Sequence, residues 1–160
     1  MLYGAAQFSR DIDFLILGDA ENFDRLHAAL TELRAGRIAV PPFAAKHLAR
    51  GHAVHFRCQH PDAPGLRVDV MTQLRDLEGF EELWTRRSTV DAENGEVFEL
   101  LNIGDLVRAK KTQRDKDWPM ISQLVESHYF AFQHELTPER IAFWLGEARA
   151  PARPRILGAA

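Results

Sequence analysis

Three aspartates in extended, apolar segments are the residues of this chain best suited to chemistry. Asp11 and Asp13 stand at the entrance of the apolar run 14–17, and Asp69 lies in the extended segment 66–71. Because side chains alternate along a strand, Asp11 and Asp13 point to the same side, roughly 7 Å apart. Two carboxylates so close beside an apolar strand repel each other and require a cation or several hydrogen bonds.

A metal ion is one way to satisfy these carboxylates. If the two segments pair as neighbouring strands, Asp11, Asp13 and Asp69 converge. Mg²⁺ prefers oxygen ligands and often binds through one or two carboxylates plus substrate phosphates. Such a cluster can align a triphosphate and activate an attacking hydroxyl. The alternative is that Asp-x-Asp occurs by chance and that each aspartate caps a turn.

The elements that must hold these residues follow from the apolar periodicity. After the first strand, apolar residues at helical spacing predict a helix that ends at Gly36. The turn-forming stretch 61–65 predicts a hairpin between the segments 53–58 and 66–71, and Asn94-Gly95 predicts another. The other predicted elements are a strand at 37–40, a short helix at 43–49, and helices at 77–86, 102–112, 117–132 and from Pro138 onward.

Together these elements predict one mixed α/β (α+β) domain over residues 1–150. The sheet part covers about 1–101, a helical C-terminal portion covers about 102–150, and residues 151–160 form a loose tail. A length of 160 residues, with 46% hydrophobic and 27% charged residues, fits a single folded domain.

Charge and cysteine usage narrow the class of protein. The net charge of -3 excludes a strongly basic surface overall, although a local basic patch is possible. The single cysteine, Cys58, excludes an internal disulfide, and the sequence has neither an apolar run long enough for a membrane helix nor a signal peptide. We therefore expect a cytoplasmic protein.

Three segments together resemble the minimal nucleotidyltransferases, which share the DNA polymerase beta-like nucleotidyltransferase fold and include antibiotic and toxin–antitoxin enzymes. Gly4-Ala-Ala-Gln-Phe-Ser-Arg-Asp11-Ile-Asp13-Phe-Leu-Ile resembles the family pattern Gly-x-x-Arg-x-Thr-x-Asp-Ile-Asp-Leu. Segment 66–71 resembles the strand that carries the family's third acid. Segment 103–117 resembles a helical segment in which a lysine precedes Arg-x-Lys-Asp. The resemblance covers roughly residues 4–124.

The resemblance implies transfer of a nucleoside monophosphate from a nucleoside triphosphate to a hydroxyl of RNA, protein or a small molecule. It implies Mg²⁺ or Mn²⁺ bound by Asp11 and Asp13, with Asp69 binding metal or acting as a base. It also implies substrate contacts from Gly4, Ser9, Arg10, Lys110, Lys111, Arg114 and Lys116. Without the resemblance, the basic residues between 110 and 116 would be interpreted as a solvated helix face with local ion pairs.

The sequence departs from the family at its beginning. The family's Gly-Gly or Gly-Ser phosphate turn precedes the Asp pair by about a dozen residues, but this sequence starts at Met1, and Gln7 stands where arginine is common. Three explanations fit the departure: a mis-assigned start, a truncated gene, or a domain that has lost transfer chemistry. The last is the second hypothesis, a catalytically inactive relative that binds a partner in a toxin–antitoxin-like module. A missing first strand would also leave an exposed sheet edge, which predicts a homodimer.

Two other metal chemistries receive less support from the sequence. A phosphodiesterase or nuclease could use the same carboxylates, but no histidine stands near the Asp pair in sequence to act as a general base. His52, Cys58 and His60 would share one side of a strand, but no second ligand pair at zinc-finger spacing accompanies them.

Overall fold

A four-stranded mixed sheet carries the predicted aspartates. The computed structural model describes residues 11–39, 41–92, 94–111 and 118–147. The first elements are β1 (Asp11–Leu15), α1 (Ala20–Glu32), β2 (Gly36–Arg37), α2 (Ala45–Leu48), β3 (Val54–Arg57) and β4 (Arg67–Met71). The strand order is β1-β4-β3-β2, in which β1 runs parallel to β4 and the other pairs are antiparallel. The predicted hairpin of β3 and β4 is therefore confirmed.

One face of this sheet is the apolar core. Val54 and Phe56 of β3 alternate with polar neighbours, as do Val68 and Val70 of β4, and all four are buried. Leu30 of α1 and Leu48 of α2 pack onto them. The Asp19 side chain caps α1 by accepting a hydrogen bond from the backbone N–H of Asn22 at 2.7 Å. The alternation of side chains along these strands thus separates an apolar face of the sheet from a charged face.

The remaining elements form a hairpin and the predicted helical portion. They are α3 (Phe80–Thr85), β5 (Ser88–Asp91), β6 (Val97–Leu100), α4 (Ile103–Lys110), α5 (Trp118–Phe132) and α6 (Pro138–Glu147). β5 and β6 are antiparallel, and Gly95 has a φ of +81°, which confirms the hairpin at Asn94-Gly95. A second core joins α4, α5 and α6 around Val107, Ile121 and Trp144. The prediction of a mixed α/β fold with a helical C-terminal portion is confirmed.

Two local predictions were wrong for reasons of tertiary structure. β1 begins at Asp11 rather than at Phe14, because its pairing with β4 extends the ladder through the Asp pair. The apolar spacing of the predicted helix 77–86 favours an inward position for Trp84, but Trp84 is 42% exposed. Its ring stacks on Phe80, and the Arg87 guanidinium covers it 4.0 Å from the ring centroid. Across the described ranges, no helix combines the length and apolar character that crossing a membrane requires.

Candidate carboxylate site on the polar face of the sheet

The register of β1 and β4 sets two of the predicted aspartates side by side. Asp13 lies directly opposite Asp69, and Asp11 lies directly opposite Arg67. Adjacent strands are separated by about 4.8 Å, and residues opposite each other project to the same face. The three acids therefore share the polar face of the sheet. On the other side of β4, His55 of β3 is also opposite Asp69.

Asp69 is the buried acid of the group and has a complete set of protein partners. It is 9% exposed. Arg67 donates through Nε to Oδ1 at 2.8 Å and through Nη2 to Oδ2 at 2.9 Å, a two-pronged contact. His55 Nδ1 lies 2.8 Å from Asp69 Oδ1 and 3.1 Å from Arg67 Nη2. A buried carboxylate needs such compensation, so these contacts explain how the sheet accommodates Asp69.

Arg67 is the cation around which the three acids are arranged. Its hydrogen bond to Asp69 raises the pKa of the guanidinium, and the negative charges of Asp69, Asp11 and Asp13 raise it further against a partly opposing effect of burial. All three carboxylates therefore act on one guanidinium. The charge repulsion expected from the sequence is relieved, at least in part, by an arginine of the same strand as Asp69.

Lys110 approaches the site from the C-terminal end of α4. Its Nζ lies 3.2 Å from Asp13 Oδ2, although 97 residues separate the two in sequence. The Asp13 side chain is 51% exposed, so this ion pair is open to solvent and contributes little stability. It does identify which lysine of the pair 110–111 faces the carboxylates. Lys111 instead lies 2.7 Å from the carboxylate of Glu147 on α6.

A buried ion pair fixes the helix that carries Lys110. Asp105, in the first turn of α4, is 4% exposed. Arg86 donates to its two carboxylate oxygens at 2.7 Å and 3.0 Å. Asn102 caps the helix by accepting from the Asp105 backbone N–H and donating its amide to Asp105 Oδ2. The position of Lys110 thus depends on a structural network remote from the acids.

The other predicted substrate contacts cannot be located on this face. Gly4, Ser9, Arg10, Arg114 and Lys116 lie outside the described residues. Neither the zinc alternative nor the three-aspartate cluster gains support from side-chain grouping: within the ranges that the structure describes, no three His, Cys, Asp or Glu side chains are grouped to hold a metal ion. Cys58 is buried in the core of the sheet.

The donor chemistry of the polar face fits a hard divalent cation only in part. Asp11 and Asp13 are exposed carboxylates on one face, the kind of oxygen ligands that Mg²⁺ and Mn²⁺ take together with substrate phosphates. Asp69 is less available than these two, because both of its oxygens accept hydrogen bonds from Arg67 and only Oδ2 keeps a second lone pair. Asp11 and Asp13 are therefore the residues that could hold a metal, with Asp69 behind them.

Sequence reasoning missed Arg67 and His55. Arg67 stands two residues before Asp69, so the period of two already puts both side chains on one face. The register of the β3–β4 hairpin also brings His55 opposite Asp69, a pairing that the turn at 61–65 alone does not fix. His55 therefore lies beside Asp69, although no histidine stands near the Asp pair in sequence.

Comparison with known proteins does not identify a function for this site. A scan against protein-family models and a search of curated proteins found no match to this chain.

Proposed function

We propose that this chain is a metal-dependent, nucleotidyltransferase-like protein. It would transfer a nucleoside monophosphate from a nucleoside triphosphate to an acceptor hydroxyl. The observation that supports this most directly is the register that sets Asp13 opposite Asp69 on parallel strands, with Asp11 on the same face. These acids share one face of the sheet and suit the cation of a metal–triphosphate substrate. Lys110, beside Asp13, suits the phosphates of that substrate.

Each residue has a distinct part in the proposed reaction. Asp11 and Asp13 bind Mg²⁺ or Mn²⁺, which when bound supplies positive charge to the phosphate oxygens. Lys110 orients a phosphate at the edge of the site. The acceptor oxygen forms a bond to the α-phosphorus while the bond to pyrophosphate breaks. Asp69 either completes the ligand set or accepts the hydroxyl proton.

Titration calorimetry with Mn²⁺ and a panel of nucleoside triphosphates tests the proposal. We expect the wild-type chain to bind a metal–triphosphate complex, and we expect Asp13→Asn to weaken that binding at least about tenfold, because one ligand charge is lost. Asp91→Asn is the matched control, since Asp91 is also an exposed strand aspartate but belongs to the other sheet. No binding by the wild type, or equal losses in the two variants, would refute the proposal.

A specific contact favours a second candidate function, that of an inactive relative that binds a partner as in a toxin–antitoxin module. The two-pronged contact from Arg67 engages both oxygens of Asp69, so a protein cation already occupies the position behind Asp11 and Asp13. Copurification from the native host separates the two candidates. Stable capture of one partner, without turnover of any triphosphate, supports the second, whereas turnover by the isolated chain excludes it.

We also propose that the protein is cytoplasmic and forms a homodimer. Cys58 is an unpaired, buried thiol, which fits a reducing compartment. β1 is the outer strand of the described sheet, and Ile12 and Phe14, which lie opposite Val68 and Val70 on its apolar face, are 41% and 46% exposed. Light scattering should give twice the mass of the chain, and a monomer at all concentrations would rule out the dimer.

A further inference from the structure

Four basic side chains gather at α2 and the turn that follows it: Lys46, His47, Arg50 and His52. Lys46, Arg50 and His52 are exposed, and the rings of His47 and His52 lie 6.3 Å apart between centroids. Burial lowers the pKa of His47, and the positive charges of Lys46, His52 and Arg50 lower it further. These four side chains, all within residues 46–52, are called here the α2 basic cluster.

No acidic side chain compensates the α2 basic cluster within the part of the chain that the structure describes. Arg25 and Arg87 elsewhere on the surface differ in this respect, because they have carboxylate partners in Glu21 and Glu99. Lys46 and Arg50 stand four residues apart in sequence, a spacing at which like charges repel on a helical surface. Uncompensated positive charge on a chain of net charge -3 therefore points to an external anion.

The cluster is held in a fixed relation to the strand that carries Asp69. Thr72 Oγ1 donates to the Leu48 carbonyl at 2.8 Å, and Gln73 donates to the Ala49 carbonyl at 3.3 Å. Both donors follow directly after β4, and Leu48 is fully buried in the core of the sheet. These bonds anchor α2 at the end of β4, on the apolar face of the sheet and therefore on the side opposite the acids.

We propose that the α2 basic cluster binds the phosphate backbone of a nucleic acid. This inference rests on the proposed function and names its acceptor class, because a strand held at the cluster could continue past the end of β4 to the polar face and present a terminal or ribose hydroxyl to the carboxylates. Each strand of a nucleic-acid duplex carries a charge about every 3.4 Å, so successive phosphates of one strand can contact both Lys46 and Arg50. The two histidine rings add surfaces on which bases can stack.

The same cluster is poorly suited to a lipid surface. Membrane-binding basic segments usually combine about four to eight Lys or Arg residues with apolar side chains that insert. Here Lys46 and Arg50 are the exposed Lys and Arg residues of the segment 45–52, and its large apolar residue, Leu48, is fully buried. A polynucleotide is therefore the occupant that these residues fit.

Fluorescence anisotropy with a labelled single-stranded RNA, in EDTA and without triphosphate, tests the proposal. We expect the affinity of the wild-type chain to fall with rising salt. The double variant Lys46→Gln with Arg50→Gln should bind roughly tenfold more weakly at low salt, and its slope of log affinity against log salt should fall by about 1.4, or 0.7 per lost phosphate contact. Both side chains are exposed, so the variant should fold, as circular dichroism can verify.

The control removes the same charge elsewhere on the protein. Arg25→Gln with Arg37→Gln loses two exposed arginines of α1 and β2 and should keep the wild-type salt slope. The proposal is overturned if the wild type does not bind RNA, if both double variants weaken equally, or if only anionic phospholipid vesicles are bound. Because the assay contains no metal or triphosphate, its result is independent of the Asp13→Asn titration.

Discussion

Replacing Arg86 with methionine should lower the free energy of unfolding by about 3 kcal/mol, the low end of the cost of breaking a buried ion pair. The Asp105 side chain is only 5% exposed, and it would lose both short contacts from the guanidinium. The Asn102 amide at 2.6 Å and Arg108 at 3.6 Å would remain, which is why the upper end of the range is not expected. Denaturant unfolding followed by circular dichroism measures the loss.

The neighbouring arginine provides a matched control. Arg87 also forms an ion pair, with Glu99 at 2.7 Å, but each side chain of that pair is 32% exposed. Arg87→Met should therefore cost less than about 1 kcal/mol. Combining Arg86→Met with Asp105→Leu should recover most of the stability, because no buried charge is then left without a partner. Equal losses in the two single variants would contradict this account of Asp105.

Replacing Arg67 with methionine should lower the free energy of unfolding of the metal-free protein and strengthen the binding of a divalent cation. The substitution removes the cation that three acids surround and leaves Asp69, with a side chain 12% exposed, dependent on His55. Since the Arg67 side chain is itself 36% exposed, we expect a loss of about 2 kcal/mol rather than the full cost of breaking a buried pair. Released carboxylates are better ligands for Mn²⁺.

Thermal unfolding with and without Mn²⁺ measures both effects. The Arg67→Met variant should unfold about 4–8 °C below the wild type in EDTA, and Mn²⁺ should raise its midpoint more than it raises that of the wild type. Arg57→Met is the control, because Arg57 lies directly opposite Arg67 on β3 but is exposed. If Mn²⁺ raised the midpoints of all three proteins equally, or none of them, the polar face would not be a cation site.

Much of the local structure of this protein could be predicted from its sequence. The alternation of apolar residues separates the two faces of β3 and β4, the turn at 61–65 closes their hairpin, and Asn94-Gly95 closes the other. Asp19 and Asn102, residue types favoured at helix N-termini, cap their helices. These features depend on neighbours a few residues away, so the order of residue types is sufficient to determine them.

The candidate site depends on contacts between distant parts of the chain. The type and spacing of Asp11, Asp13 and Asp69 indicate a charged face that needs a cation, but spacing does not say which cation is near. Pairing of β1 with β4 decides that Asp13 meets Asp69, and the bonds that Arg67 makes decide how Asp69 is neutralised. Packing of α4 decides that Lys110, and not Lys111, faces Asp13.

The proposed metal-dependent function depends on competition between the Arg67 guanidinium and an external cation for the same carboxylates. The sequence alone determined that acids would lie along one side of a strand, because alternation is a property of the extended backbone. Only the tertiary structure decided which residues compensate the negative charge of these acids, because charge compensation acts through space between residues that the fold brings together. The α2 basic cluster illustrates the same division: its residue types are plain in the sequence, but its lack of acidic partners among the described residues and its anchoring to β4 are not.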